Sequence, residues 1–104
     1  MLKSTPKSQL DDLARKAPVV AALLKELANE KRLLILCALL ARGESTVANL
    51  AETVKLSQSA LSQHLARLRE KELVTFRREG ATLFYSVADK KIGHLLKTLK
   101  NTYC

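Results

Sequence analysis

The sequence has little of what interrupts helices and little of what cross-links a chain. Its 104 residues include three glycines, two prolines and two cysteines. So few glycines and prolines favour long helices joined by few turns, and two cysteines are too few for a disulfide framework. The longest apolar run is residues 33–41, whereas a helix that spans a bilayer needs about 20 residues. The first residues lack the uninterrupted apolar segment of a secretory signal. We therefore expect one cytoplasmic domain over residues 1–104, with residues 1–6 frayed and no membrane contact.

The charge of the chain is strongly positive. Eighteen Lys and Arg residues against ten Asp and Glu residues give a formal net charge of +8. A compact basic domain is attracted to the polyphosphate backbone of nucleic acids, and to anionic membranes as well. Many basic proteins bind neither, so the order of the predicted elements has to decide between these partners.

The first half of the chain shows two helical patterns. Apolar residues recur at helical spacing from about Ser8, and Pro18 either kinks this helix or begins a new one. Asn29 is a suitable N-cap for a second helix over residues 30–41, and Gly43 is suited to end it. This second helix is apolar on most sides after Arg32, which predicts that it is the buried central helix.

The second half predicts a helix-turn-helix followed by a hairpin. Ser45 or Thr46 can cap a short helix that ends near residue 54, and Ser57 can cap a longer one that ends near residue 71. After Leu73 the apolar period changes to two, which predicts strands over residues 73–78 and 82–87 with a turn at Glu79-Gly80. Asp89 then caps a last helix.

This order of elements predicts a mainly α fold, the winged helix-turn-helix, in which the hairpin is the wing. The first and last helices carry apolar stripes that remain uncovered after the central core is built. We therefore expect these two helices to form a homodimer.

The helix that begins at Ser57 is the predicted DNA-recognition helix. On a helical wheel Leu61, Leu65 and Leu68 define its core side, and the opposite face of its N-terminal half is short and uncharged. Such a face can approach base edges in a major groove, where Gln can pair with adenine. The helix start can hold a phosphate. The predicted DNA-contacting residues are Ser57, Gln58, Ser59, Ser62, Gln63, Arg67, Arg77 and Arg78.

Three of these residues are arginines with a different expected role. Arg67 is predicted to contact a phosphate or a guanine, and the wing residues Arg77 and Arg78 to contact the DNA backbone or an adjacent minor groove. His64 lies at the edge of the core side, where packing and a DNA contact are equally plausible. A solvated polar face is the alternative interpretation of any surface helix.

Three segments of the sequence resemble a known family. LANEKRLLILCALL, LSQSALSQHLARLREKELV and RREGATLFYSV are similar to the ArsR family of winged-helix regulators, over about residue 20 to the last residue. The resemblance implies a homodimer that binds double-stranded DNA at an imperfect inverted repeat, represses a promoter and is released by an inducer. A twofold dimer would present its recognition helices to major grooves about 34–36 Å apart. No cofactor is implied.

Metal sensing, which is common in the ArsR family, lacks its ligands in this sequence. The start of the helix-turn-helix, ESTVANLAE, contains neither Cys nor His. Asp89 and His94 on the last helix are five positions apart, so they point in different directions, and no second His follows. Because a zinc site needs about four converging ligands, we expect no metal.

The two cysteines have separate interpretations and a joint one. Taken alone, Cys37 is a small core residue and Cys104 a chance thiol. Together they resemble the persulfide-responsive branch of the ArsR family, in which a thiol pair at these places senses reactive sulfur species. Bridging Cys37 and Cys104 would tether the last helix to the second. An apolar environment opposes the reactive thiolate of Cys37. At Cys104 the helix C-terminus and the chain carboxylate oppose a thiolate and Lys97 and Lys100 favour one, and the sequence leaves the balance open.

Four alternatives to a sulfur-responsive repressor stay open. An activator that relieves silencing would need the same DNA contacts, and a metal-sensing repressor would need ligands that are missing. A protein-interaction module could use the fold without DNA. A thiol oxidoreductase is disfavoured because there is no Cys-x-x-Cys and no βαβ pattern, so we expect no enzymatic activity.

Overall fold

The computed structural model describes residues 6–104, and its elements follow the predicted order. The helices and strands are α1 (Pro6–Leu27), α2 (Glu30–Arg42), β1 (Ser45–Thr46), α3 (Val47–Val54), α4 (Gln58–Glu70), β2 (Val74–Glu79), β3 (Thr82–Val87) and α5 (Lys90–Tyr103). The winged-helix prediction is confirmed. Pro18 lies inside α1, which continues through it as one helix. The predicted fraying of residues 1–5 lies outside the described residues, and Pro6 is the first residue of α1, where a missing N–H costs nothing.

The central helix α2 is fixed at both ends by the residues that the sequence indicated. The Asn29 side chain accepts a hydrogen bond from the Arg32 backbone N–H at 3.0 Å. Gly43 ends the helix at φ 83°, a conformation that favours glycine. Ile35, Leu36 and Leu39 of α2 are fully buried, so α2 lies at the centre of the core.

The helix-turn-helix is formed by α3 and α4. Thr46 caps α3 by accepting from the Asn49 N–H at 3.2 Å, and Lys55 ends it in the left-handed region at φ 57°. Ser57 caps α4 by accepting from the Ala60 N–H at 3.0 Å. The predicted core side of α4 is confirmed, since its buried residues are Leu61, Leu65 and Leu68. The face of α4 opposite these leucines is exposed.

The wing belongs to a three-stranded antiparallel sheet in the order β1-β3-β2. Strands β2 and β3 pair from Val74 with Val87 to Glu79 with Thr82, and Gly80 begins their two-residue turn at φ 62°. Strand β1 was not predicted, because two residues are too short to show a period of two. It pairs with β3 and thereby holds the base of the wing against the start of α3.

Helix α5 packs on α2 and completes the core. Asp89 caps it by accepting from the Lys91 N–H at 2.8 Å, and Ile92 and Leu96 are its buried residues. Gly93 faces α2, where a Cβ at this position would make an ordinary van der Waals contact, 3.5 Å from Cδ1 of Leu40. Of the helices in residues 6–104, none combines the length and the apolar character required to cross a membrane.

Candidate nucleic-acid interface

The N-terminal half of α4 presents a short uncharged surface. Ser59, Ser62 and Gln63 are exposed on the face opposite the buried leucines, as the helical wheel predicts, and Ser57 and Gln58 are exposed at the helix start. The Ser57 hydroxyl is the N-cap acceptor for the Ala60 N–H. This geometry suits insertion of a helix end into a major groove.

Arg67 has a partner inside the protein. Its Nε donates to Oε1 of Glu26 at 2.7 Å, and its Nη2 donates to Oε2 at 3.0 Å. The Glu26 side chain is only 4 % exposed, whereas that of Arg67 is 48 % exposed. Arg67 was predicted to contact DNA, but the structure directs its guanidinium towards α1.

Glu26 also lies beside a second arginine. Arg32 Nε donates to the Glu26 backbone carbonyl at 2.8 Å and lies 3.5 Å from the carboxylate oxygen Oε1. The hydrogen bonds from Arg67 lower the pKa of the Glu26 carboxyl by more than burial raises it, and Arg32 and Lys71 contribute in the same direction. Glu26 was not a predicted site residue. It follows Leu23 by three positions, and a carboxylate on the inner stripe of a helix was the available signal.

Arg77 of the wing is also held within the protein. It donates to both carboxylate oxygens of Glu44 at 2.8–3.2 Å and to Glu79 at 2.6 Å. Its guanidinium carbon lies 4.4 Å from the ring centroid of Phe84. The hydrogen bonds from Arg77 lower the pKa of Glu44. These contacts attach the wing to the loop that follows α2.

Two further arginines lie at the end of α4 and in the wing. The Arg69 guanidinium lies 4.2 Å from the ring centroid of Phe76 and so connects the end of α4 to β2. Arg78 is exposed, and within residues 6–104 its side chain has no hydrogen bond or ion pair. Arg78 is therefore the wing cation that is available to a phosphate, whereas Arg77 has two carboxylates beside it. His64 is half-buried, in agreement with its predicted place at the edge of the core.

The two cysteines are free thiols on neighbouring elements. Cys37 is half-buried against the core, and Cys104 is exposed immediately after α5. Burial raises the pKa of the Cys37 thiol, Cys104 raises it further and Lys100 lowers it. Lys100 of α5 and Cys104, which follows this helix, therefore affect the pKa of the Cys37 thiol, although they are more than 60 positions away in the sequence.

No metal centre is assembled in the part of the chain that the structure describes. It contains no group of three or more His, Cys, Asp or Glu side chains that could hold an ion. The Asp89 carboxylate is used as the N-cap of α5.

Comparison with known proteins identifies relatives along almost the whole chain. The family described as bacterial regulatory protein, arsR family, matches residues 29–75. The transcriptional activator HlyU of Vibrio cholerae is 42% identical over 103 residues, which cover 99% of this chain and 94% of that protein. Reduced HlyU from Vibrio cholerae has a similar structure, with a TM-score of 0.82, 42% identity and coverage of 89% of this chain and 97% of that one.

A repressor has the same architecture. The transcriptional repressor BigR from Xylella fastidiosa matches with a TM-score of 0.83 and 35% identity, covering 90% of this chain and 95% of that one. These relatives are transcription regulators, and the match extends through the core, the helix-turn-helix and the wing. This chain therefore belongs to the arsR family of bacterial regulatory proteins and is a winged-helix transcription regulator.

Proposed function

We propose that this regulator is a cytoplasmic homodimeric repressor that binds an inverted-repeat operator and releases it when Cys37 and Cys104 are bridged by reactive sulfur. The observation that carries the DNA-binding part is the exposed uncharged surface of Ser59, Ser62 and Gln63 on the α4 of an arsR-family fold. These side chains would read base edges, and the start of α4 with Ser57 and Gln58 would hold a phosphate.

The wing and Arg67 have supporting roles in this proposal. Arg78 would contact the DNA backbone directly. Arg77 would contact the DNA backbone more weakly, because the carboxylates of Glu44 and Glu79 accept its hydrogen bonds and offset its positive charge. Arg67 retains a half-exposed side chain, although two of its donor nitrogens are bound to Glu26.

Exposed apolar surface supports the homodimer. Leu10, Leu13 and Val19 of α1 are 58–74% exposed, and Tyr103 at the end of α5 is 82% exposed. A groove of about 1000 Å³, lined by Val19, Leu73, Ile92 and other side chains, runs between α1 and the start of α5. Monomeric proteins rarely leave contiguous apolar surface of this kind in solvent, and a second copy would cover it on both helices.

The DNA-binding part is tested with a probe that the protein itself selects. A duplex of about 30 base pairs, enough for two half-sites, is enriched from a randomised library and compared with a scrambled duplex of the same composition. We expect an inverted repeat, preference over the scrambled duplex and two protein chains per duplex. Equal affinity for both duplexes would contradict operator recognition.

The sulfur-responsive part is supported by the position of the two thiols. Helix α5 packs on α2, where Gly93 faces Leu40, and Cys104 raises the pKa of the Cys37 thiol. A bridge between the cysteines would join these two helices. Because α5 is also proposed to face the partner chain, the bridge would change the spacing of the two recognition helices. A reduced form is distinguished for the related HlyU of Vibrio cholerae, which is consistent with a thiol-based response.

The chemistry of the bridge is balanced with a low-molecular-weight persulfide as the co-reactant. Two protein thiols and two persulfide molecules give one protein trisulfide, two small-molecule thiols and one H₂S. One outer sulfur becomes the bridging atom, and the other accepts the electron pair and leaves as sulfide. No metal or cofactor takes part.

The sulfur-responsive part is tested by treating the wild type, Cys37→Ser and Cys104→Ser with a glutathione persulfide donor. We expect a mass increase of one bridging sulfur less two hydrogens and loss of affinity for the selected duplex in the wild type, both reversed by a dithiol reductant. Neither variant should form the bridge. Loss of affinity in either Ser variant would contradict the dithiol mechanism.

A second candidate is an activator, because the relative that matches 99% of this chain is the activator HlyU. Repression and activation use the same DNA contacts, so a promoter experiment has to separate them. A reporter driven by the promoter that contains the selected repeat should rise when the regulator is deleted if the protein is a repressor. It should fall if the protein is an activator.

A further inference from the structure

A buried carboxylate connects the first helix to the recognition helix. Glu26 belongs to α1, Arg67 to α4 and Arg32 to α2, and the three side chains meet where these helices converge. The Glu26 side chain is 4 % exposed, and the sequence pattern did not identify it as a site residue. No other Asp or Glu side chain in residues 7–104 is buried.

The cost of burying this carboxylate makes its geometry specific. A buried carboxylate is strongly unfavourable unless charged donors satisfy it, and removing one partner of such a pair leaves an uncompensated charge. Both oxygens of Glu26 accept from the same guanidinium, at 2.7 and 3.0 Å. A bidentate pair fixes the direction as well as the distance of the arginine. It therefore limits rotation of α4 about its own axis.

The α1 side of this contact is itself held in place. Arg32 donates to the backbone carbonyls of Glu26 at 2.8 Å and of Lys25 at 3.5 Å, and the backbone N–H of Arg32 is bound by the Asn29 cap. The end of α1 is thus attached to the beginning of α2. Because Glu26 also binds Arg67, α4 is held against the joined ends of α1 and α2.

Arg67 lies one helical turn beyond Gln63, next to the surface proposed to read bases. Residues four apart lie on adjacent parts of the same helix face. A rotation of α4 that released Arg67 from Glu26 would also turn Ser59, Ser62 and Gln63 relative to the groove. Base recognition depends on such angles, whereas attraction to phosphates does not.

We propose that Glu26 is a positioning residue for DNA reading, whose bidentate contact with Arg67 fixes the rotation of α4 that presents Ser59, Ser62 and Gln63 to base edges. This inference rests on the proposed function. It assigns the Arg67 guanidinium to a contact within the protein, whereas a direct role in DNA binding would direct its guanidinium to a phosphate or a guanine.

The two roles of Arg67 predict opposite signs for one substitution. If Glu26 positions α4, Glu26→Gln removes the charge that holds Arg67 and weakens specific binding. If Arg67 binds DNA directly, the same substitution frees a competing cation and strengthens binding. The experiment uses the full chain, the selected duplex of about 30 base pairs and its scrambled counterpart, with Asp11→Asn as an exposed charge-matched control on α1.

For a positioning role, we expect Glu26→Gln and Arg67→Ala each to lower affinity for the selected duplex about tenfold and to leave the scrambled duplex unchanged. The double variant should bind like the single variants, because both remove the same contact. The slope of log affinity against log salt should stay at its wild-type value, whereas loss of a phosphate contact lowers it by about 1. Asp11→Asn should behave as wild type.

Three results would overturn the inference: unchanged or stronger specific binding in Glu26→Gln, a salt slope reduced by about 1 in Arg67→Ala, or additive losses in the double variant. Thermal unfolding identifies any variant that is not folded at the assay temperature. If Glu26→Gln fails to fold, the salt slope of Arg67→Ala and the double variant, which lacks both members of the Glu26–Arg67 pair, still decide. If the wild type shows no preference for the selected duplex, the proposed function fails instead.

Discussion

The two halves of α4 use their exposed side chains in opposite ways. In the first half Ser59, Ser62 and Gln63 are uncharged and exposed. In the second half the charged residues Arg67 and Arg69 bind Glu26 and the Phe76 ring. The half with no net attraction to DNA is thus left free for a partner, and the half with strong charge is tied to the rest of the protein.

The difference indicates that affinity and register come from different residues. Arginines that bind carboxylates and aromatic rings connect α4 to α1 and to the wing, and Arg77 connects the wing to the loop after α2 through Glu44. In the proposed function, free cations such as Arg78 would supply attraction to phosphates, which carries no sequence information. The uncharged half would discriminate bases while the bound arginines hold α4 in position.

The largest effect should come from a substitution on the buried side of α4, which supports both halves of this helix. Leu65 is 1% exposed and lies at the centre of the core side of α4. Leu65→Ala should lower the free energy of unfolding by about 2–5 kcal/mol, since it removes buried methyl groups and leaves a cavity. Urea unfolding followed by circular dichroism measures this change. Ala66→Ser, on the exposed side, is the control, and an equal loss there would contradict the assignment of the two faces.

Gln63→Ala should distinguish base recognition from electrostatic attraction to phosphates. We expect a loss of about 1–3 kcal/mol at one base-pair position, with relaxed specificity there, because the bidentate partner of a base is removed. Competition binding with duplexes substituted at each position of the selected repeat measures this. A uniform loss at every position would mean that Gln63 contacts the backbone.

Arg78→Ala should show the opposite pattern with a smaller effect. Because its guanidinium has no partner in residues 6–104, we expect a uniform loss on selected and scrambled duplexes and a salt slope lower by about 1. Arg77→Ala is the matched wing variant, and it should change the slope less, since Glu44 and Glu79 already offset its charge. Equal slopes in the two variants would remove the distinction between free and paired arginines.

The sequence was sufficient for the fold because the signals were local. Asn29, Thr46, Ser57 and Asp89 cap their helices within three residues, and the buried leucines of α4 follow from helical spacing. The contacts of the arginines were not predictable, because Glu26 lies 41 positions from Arg67 and Glu44 lies 33 from Arg77. Charge patterns identify which residues could bind phosphate, but only the tertiary structure shows which of them are already bound.

The smallest effect is the loss of stability at low pH. It distinguishes the buried Glu26–Arg67 pair from the exposed Glu44–Arg77 pair. Bound arginines lower the pKa of both Glu26 and Glu44 below the ordinary value of 4.5. A carboxyl with a lowered folded-state pKa stabilises the fold fully above 4.5, and this contribution disappears as pH falls through the folded-state pKa. The melting temperature of the wild type should therefore exceed that of Glu26→Gln at neutral pH and approach it in acid.

Glu44→Gln provides the comparison. The Glu44 side chain is 41% exposed and that of Arg77 is 51% exposed, so salt screens their attraction, whereas the Glu26 carboxylate is shielded from solvent. We expect the neutral-pH difference between the wild type and Glu44→Gln to be smaller and to shrink further in high salt, while that of Glu26→Gln persists. Melting curves from pH 7 down to pH 3, at low and at high salt, measure both differences from above to below the ordinary carboxyl pKa of 4.5. Equal salt sensitivity of the two variants would show that burial does not distinguish the Glu26–Arg67 pair from the Glu44–Arg77 pair.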